Sequence, residues 1–134
     1  MTLKEQLELH EGRKRFPYVD TAGKITIGIG RNLTDTGLSD DEIDYLFVND
    51  VRKCDDVKRY AWFDRLNDVR QRVVTDMRFN LGEQGFRNLT RLNAALTEED
   101  YHKAANTMRQ YLWFKQVKSR GVRLATWMYH GEER

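Results

Sequence analysis

The apolar period of this chain changes once. In residues 15–30, RFPYVDTAGKITIGIG, two β-rich runs flank a turn, and from Ser39 onward apolar residues recur at helical spacing. That switch predicts an α+β fold, predominantly helical. A small N-terminal β-hairpin lobe would be joined by a long helix to a helical C-terminal lobe.

The punctuation refines this outline. Asp20 and Gly23 in DTAG suit a type I turn with the glycine in the left-handed region, and Pro17 suits a strand start or edge. Ahead of the hairpin, Leu3, Leu7 and Glu11 fall at i, i+4 and i+8, so a helix over 3–11 would carry Glu11 at its C-terminal end, in line with its apolar face. Gly12 stops that helix. Ser39 and Glu42 form a capping box for one long helix from about Asp40 to Arg59, carrying Ile43, Leu46, Phe47, Val51, Cys54 and Val57. Asn67 caps a second apolar helix with Val69, Val73, Val74, Met77 and Leu81, ending at Gly82 and forming the expected core. Shorter helices are expected around Leu89–Leu96, after the Thr97/Asp100 pair, and from Ser119 to Tyr129. The chain reads as a single domain whose parts are 1–38, 39–59 and 60–134.

With 134 residues the chain can bury a core without staples, and the lone Cys54 reads as a buried thiol. His10, His102 and His130 lack ligand spacing, so no metal is expected, and no cofactor is needed. GIGR is no dinucleotide fingerprint, because no helix follows at once. MTLKEQLELHEG lacks the apolar run of a signal peptide, and no run of ~18 apolar residues could span a membrane, so a soluble, cytoplasmic protein is expected. The net charge of +2 hides an imbalance: residues 101–134 hold seven Lys/Arg against two Asp/Glu, and residues 1–100 hold sixteen against nineteen. A basic C-terminal part suits either an anionic surface or a solvated face.

The hairpin region also carries chemistry. Glu11 at a helix end and Asp20 at a polar turn would sit in different dielectrics, which pushes two carboxyl pKa values apart. Glycoside hydrolysis uses such a pair. A partly desolvated Glu11 would protonate the leaving oxygen, ionised Asp20 would assist water, and Thr26 could hold that water. The spacing Glu-x8-Asp-x5-Thr is by itself equally that of an ordinary decorated hairpin.

The whole stretch HEG…YVDTAGKITIGIG resembles the catalytic region of the phage-type lysozymes, the endolysin muramidases, and LFVNDV, DVRQRVVTDMRFNLGEQGF and WFKQVKSRGVRLATW resemble further segments of that family. The resemblance implies hydrolysis of the β-1,4 bond between N-acetylmuramic acid and N-acetylglucosamine in bacterial peptidoglycan, usually with inversion. It implies Glu11 as general acid, Asp20 as the water-assisting carboxylate and Thr26 as the residue that positions the water. It implies substrate contacts at Asn32, Phe79, Leu89 and Thr107, with Asn80, Trp113 and Arg120 in support. Asn32, Leu89 and Thr107 differ from the residue types usual at those positions, and Phe79 and Leu89 are equally readable as core. Arg120 would lie near Glu11 and lower its pKa. The family also implies a monomer that needs no nucleic acid, held in the host cytoplasm until a separate membrane pore protein lets it reach the wall in the periplasm.

Two features depart from the family. The segment after the hairpin, GRNLTDTGLSDD, is short. Arg31 stands where the best-studied member has a histidine paired with an aspartate on the inter-lobe helix, so an Arg31–Asp50 pair without a loss near neutral pH is expected. Two other activities compete with hydrolysis. A lytic transglycosylase would form an anhydro-sugar with one acid, which the presence of Asp20 and Thr26 disfavours. A catalytically idle wall or nucleic-acid binder would use the basic C-terminal part, as in QYLWFKQVKSRGVR, but has no need of all three site residues.

Overall fold

The computed structural model describes every residue from Met1 to Arg134 and folds into two compact units, Met1–Phe47 and Val48–Arg134. It is α+β and mostly helical, with one small antiparallel sheet near the N-terminus.

In the first unit, helix α1 (Leu3–Glu11) starts in a reciprocal cap between Thr2 and Glu5 and stops at Gly12, whose N–H bonds to Glu8 O at 2.8 Å. Strands β1 (Lys14–Val19), β2 (Ile25–Gly28) and β3 (Arg31–Asn32) follow, in sheet order β1-β2-β3. The pairing Tyr18↔Thr26 and Val19↔Ile25 is interrupted towards Lys14, where Pro17 has no N–H to give. The two-residue β3 is too short for any periodic signal, and it pairs Asn32 with Thr26 and Arg31 with Ile27.

This unit buries very little. Thr26 is its one buried residue, and α1 buries none: Leu3 and Leu7 remain exposed. The apolar spacing of α1 is present, but the desolvation of Glu11 expected from it is not, because Glu11 is itself exposed.

Helix α2 (Asp40–Arg52) begins with the expected Ser39/Glu42 capping box. It ends seven residues before the expected Arg59, and Lys53–Arg59 continue as a 3-10 helix. The tighter winding has a packing cause. At three residues per turn Cys54 and Val57 stack on one side, and both are buried. Burial pushes the Cys54 thiol above its ordinary range.

The second unit holds the core. Helix α3 (Asp68–Arg87) is capped by Asn67 and buries Val73, Val74, Met77 and Phe86. Gly82, with φ 80°, breaks the helix at the predicted stop, and a final helical stretch resumes to Arg87. Around α3 pack α4 (Thr90–Thr97), α5 (Tyr101–Gln110), α6 (Leu112–Val117) and α7 (Ser119–His130). The Tyr60 and Trp62 rings stack 4.8 Å apart, and Phe86 meets Tyr60 edge-on at 5.7 Å. The end of α7 is closed by α3: Arg70 donates to Met128 O at 2.8 Å and Tyr129 O at 3.1 Å, and Asn67 donates to Gly131 O at 3.0 Å. No helix is long and apolar enough to cross a membrane.

Phe86 is fully buried and joins the aromatic cluster to the core. Phe86→Ala therefore lowers unfolding free energy by about 3–5 kcal/mol. Urea denaturation checks this, and a loss below about 1 kcal/mol would contradict the placement.

Candidate active site

The first unit brings Glu11, Asp20, Thr26, Arg31 and Asn32 onto one short helix end, one turn and two strands. Asp20 forms the turn as its sequence requires. Its carbonyl accepts from Gly23 N–H at 3.0 Å, and its N–H donates to Lys24 O at 2.9 Å. Its Oδ1 accepts from Ala22 N–H at 2.9 Å and from Lys24 N–H at 2.8 Å. Oδ1 thus serves the backbone, and Oδ2 takes no bond within the protein.

Thr26 lies two residues beyond Lys24 and is only 3 % exposed. Its hydroxyl lies 3.1 Å from Lys24 O, and since a carbonyl only accepts, the hydroxyl proton points there. What Thr26 offers any further partner is lone pairs.

The Glu11 carboxyl lies against Gly30: a Cβ there would be 2.9 Å from Glu11 Cδ and Oε2, so with any other residue the flexible end of the glutamate would have to shift. Gly30 also has φ +69°, a left-handed backbone that disfavours other residues. The only sequence signal of Gly30 is its place in the glycine-rich GIGR run.

Arg31 has a partner within its own unit. Arg31 Nη1 donates to Glu42 Oε1 at 2.6 Å and to Gly37 O at 3.2 Å. The reason is local: Glu42 already accepts from Ser39 N–H and Ser39 Oγ, each at 2.9 Å, so a fixed carboxylate stands at the start of α2 within reach of β3. The Arg31 hydrogen bond, followed by those from Ser39, holds the Glu42 carboxyl down at about 2, and Glu42 in turn raises Arg31. The capping-box spacing revealed Glu42, but not its second partner.

Asn32 does not present a free amide. Its Oδ1 accepts from Asp35 N–H at 2.9 Å and its Nδ2 donates to Asp35 Oδ2 at 2.9 Å, so both ends serve the turn that follows β3.

In the second unit, Trp113 is buried and its Nε1 donates to Asn80 Oδ1 at 2.9 Å, fixing an otherwise exposed amide just before the Gly82 break. Phe79 beside it is 45 % exposed and is therefore no core residue. Leu89 is the reverse: it packs in the core, which leaves its side chain no surface to offer a substrate. Thr107 is buried on α5. Arg120 Nε and Nη2 donate to Asp76 Oδ1 at 2.9 and 2.6 Å, a partner that spacing did not indicate. Asp50 lies exposed on α2, and its carbonyl faces the Cys54 thiol at 3.7 Å.

Comparison with known proteins gives two findings. The sequence model of a family described as phage lysozyme matches residues 8–125. The chain is also similar to the pre-baseplate central spike protein Gp5 of Enterobacteria phage T4, at 26% identity over 155 aligned positions covering 92% of this chain and 27% of that protein. The chain thus spans little more than a quarter of the length of this curated relative.

Two outcomes follow from the geometry. Gly30→Ala and Gly28→Ala both strain a left-handed backbone, by about 1–2 kcal/mol. Only residue 30 has Glu11 against it, while nothing lies within 4 Å of a Cβ at 28. Gly30→Ala should therefore displace the Glu11 carboxyl, seen as a change in its NMR signal that Gly28→Ala does not give; equal changes would contradict the contact. The second outcome concerns pH. A carboxyl depressed on folding stabilises above its unfolded pKa, and that contribution fades as pH falls through its folded value. The Tm difference between wild type and Glu42→Gln should thus stay flat from about pH 6 to about pH 9 and shrink from about pH 4.5 towards the value of about 2 held by Glu42. A collapse of the difference between about pH 6 and about pH 7 would contradict the Arg31–Glu42 pairing.

Proposed function

The chain belongs to the phage lysozyme family, and from that premise we propose that it is a peptidoglycan muramidase, hydrolysing the β-1,4 bond between N-acetylmuramic acid and N-acetylglucosamine. The observation that supports this reading most is the polarity of the turn. One oxygen of Asp20 is bound by backbone N–H groups and the other is free, and Thr26 keeps only acceptor lone pairs.

In this reading Glu11 gives its proton to the leaving glycosidic oxygen as the C1–O bond breaks. A water donates one hydrogen towards Thr26 Oγ and the other to Asp20 Oδ2, and its oxygen bonds to C1. Asp20 ends the step protonated and Glu11 ionised, so charge is conserved. Water on the face opposite the leaving group gives inversion. Asn80, held by Trp113, and the exposed ring of Phe79 are the second unit's candidates for sugar contacts.

As an endolysin, the protein would act alone on the host wall, reached through a separate pore protein. The likeness to a baseplate spike protein favours a second setting for the same chemistry, in which the chain opens the wall as part of a particle. Detection of the chain in purified particles would decide for that setting.

Glu11→Gln and Asp20→Asn should each lower peptidoglycan hydrolysis by about 10²–10⁴-fold while thermal stability is kept, and Thr26→Val should lower kcat more than it raises KM. Turbidity loss of purified peptidoglycan measures this. Wild-type clearing by Glu11→Gln would overturn the reading.

A further inference from the structure

Lys24 has no place in the reaction as proposed, yet three of the site's hydrogen bonds end on its backbone N–H and C=O. Its N–H holds Asp20 Oδ1 at 2.8 Å. Its carbonyl accepts from Asp20 N–H at 2.9 Å and from the Thr26 hydroxyl at 3.1 Å. The backbone N–H and C=O of this one residue therefore decide both which oxygen of Asp20 is left free and which way the Thr26 proton points.

The position of the Lys24 backbone is set from outside the turn. Lys24 Nζ reaches Asp35 Oδ1 at 3.2 Å. Asp35 is itself fixed at both its carboxylate and its N–H by Asn32, each at 2.9 Å. The peptide that carries the Lys24 carbonyl is anchored to the same loop through Ile25 N–H on Thr34 Oγ1 at 2.8 Å, and the next peptide through Leu33 N–H on Ile25 O at 2.7 Å. Asn32 stands opposite Thr26 in the sheet, so the brace closes on the strand that carries the hydroxyl.

We propose that Lys24 and Asp35 are positioning residues: their ion pair, braced by Asn32, holds the Lys24 backbone where it turns Asp20 Oδ2 and the Thr26 lone pairs towards the attacking water. The inference rests on the muramidase reading for its functional consequence, and on the hydrogen-bond geometry alone for its structural one. An exposed ion pair is weak, and this one is partly solvated, so the effect is graded. It acts on alignment and not on binding, which places it in kcat.

The test uses Lys24→Met, Asp35→Ala and the charge-exchanged double variant Lys24→Asp/Asp35→Lys of the full chain. Two readouts are taken: kcat and KM on purified peptidoglycan, and hydrogen exchange at the Lys24 N–H by NMR. Each single variant should lose about three- to fivefold in kcat with KM within about twofold, and should exchange faster at Lys24. The double variant should regain at least about half of the lost kcat, and raised salt should weaken wild type towards the single variants. Wild-type kcat together with unchanged exchange in the single variants would overturn the proposal, as would a loss confined to KM. Glu11→Gln, assayed in parallel, separates the two levels. If it is inactive while the Lys24 and Asp35 variants keep full kcat, this inference alone fails; if it clears peptidoglycan like wild type, the muramidase reading fails, and the exchange data still judge the brace.

Discussion

The rest of the candidate site depends on the carboxylate of Asp20 doing two things with two different oxygens. Oδ1 closes the hairpin turn by accepting from two backbone N–H groups. Oδ2 is left to the solvent side. One hydrogen-bonding pattern thus closes the turn with one oxygen and leaves the other for the role proposed for it. The type I turn, the left-handed Gly23 and the shared carbonyl of Lys24 all follow from it.

This reliance on polar contacts is forced by how little the first unit buries. With Thr26 its one buried residue, it has no apolar core to hold side chains by packing. Its geometry comes from the sheet, from the Asn32–Asp35 turn, and from the Arg31–Glu42–Ser39 cluster that ties β3 to the start of α2. The second unit uses the opposite means. There a core of fully buried Val, Leu, Met and Phe residues fixes Trp113, which in turn fixes Asn80 with one hydrogen bond. Polar clasps suit groups that must stay wet and reactive, and packing suits a wall.

How much of this was legible depended on the range of the signal. The DTAG turn, the Ser39/Glu42 and Asn67 caps and the break at Gly82 are written within four residues of where they act, and each formed where the sequence put it. The three-stranded outcome was only partly visible, because β3 has two residues. Among partners between elements, the support of Asn80 by Trp113 was legible through the family resemblance, and the Asp76 partner of Arg120 was not. The Arg31–Glu42 bond joins β3 to a carboxylate that Ser39 fixes, and the capping-box spacing shows only the Ser39 half of it. Leu89 matched a position in a family pattern, yet its own apolar side chain took it into the core. Leu3 and Leu7 have the period of a buried face and remain exposed, since periodicity says which residues share a face and not what covers it. Gly30 carries no side chain to notice; its role appears only once Glu11 is seen in the space it leaves.

In the proposed reaction a water aligned by Asp20 and Thr26 attacks the anomeric carbon. Digestion of peptidoglycan in ¹⁸O-water, with mass and anomeric analysis of the fragments at early times, tests that step. One ¹⁸O is expected at the new reducing end of each cleaved strand, with initial release of the inverted, α anomer. Unlabelled 1,6-anhydro ends would contradict it, because they would mean that the sugar's own hydroxyl, and not an aligned water, displaced the leaving group.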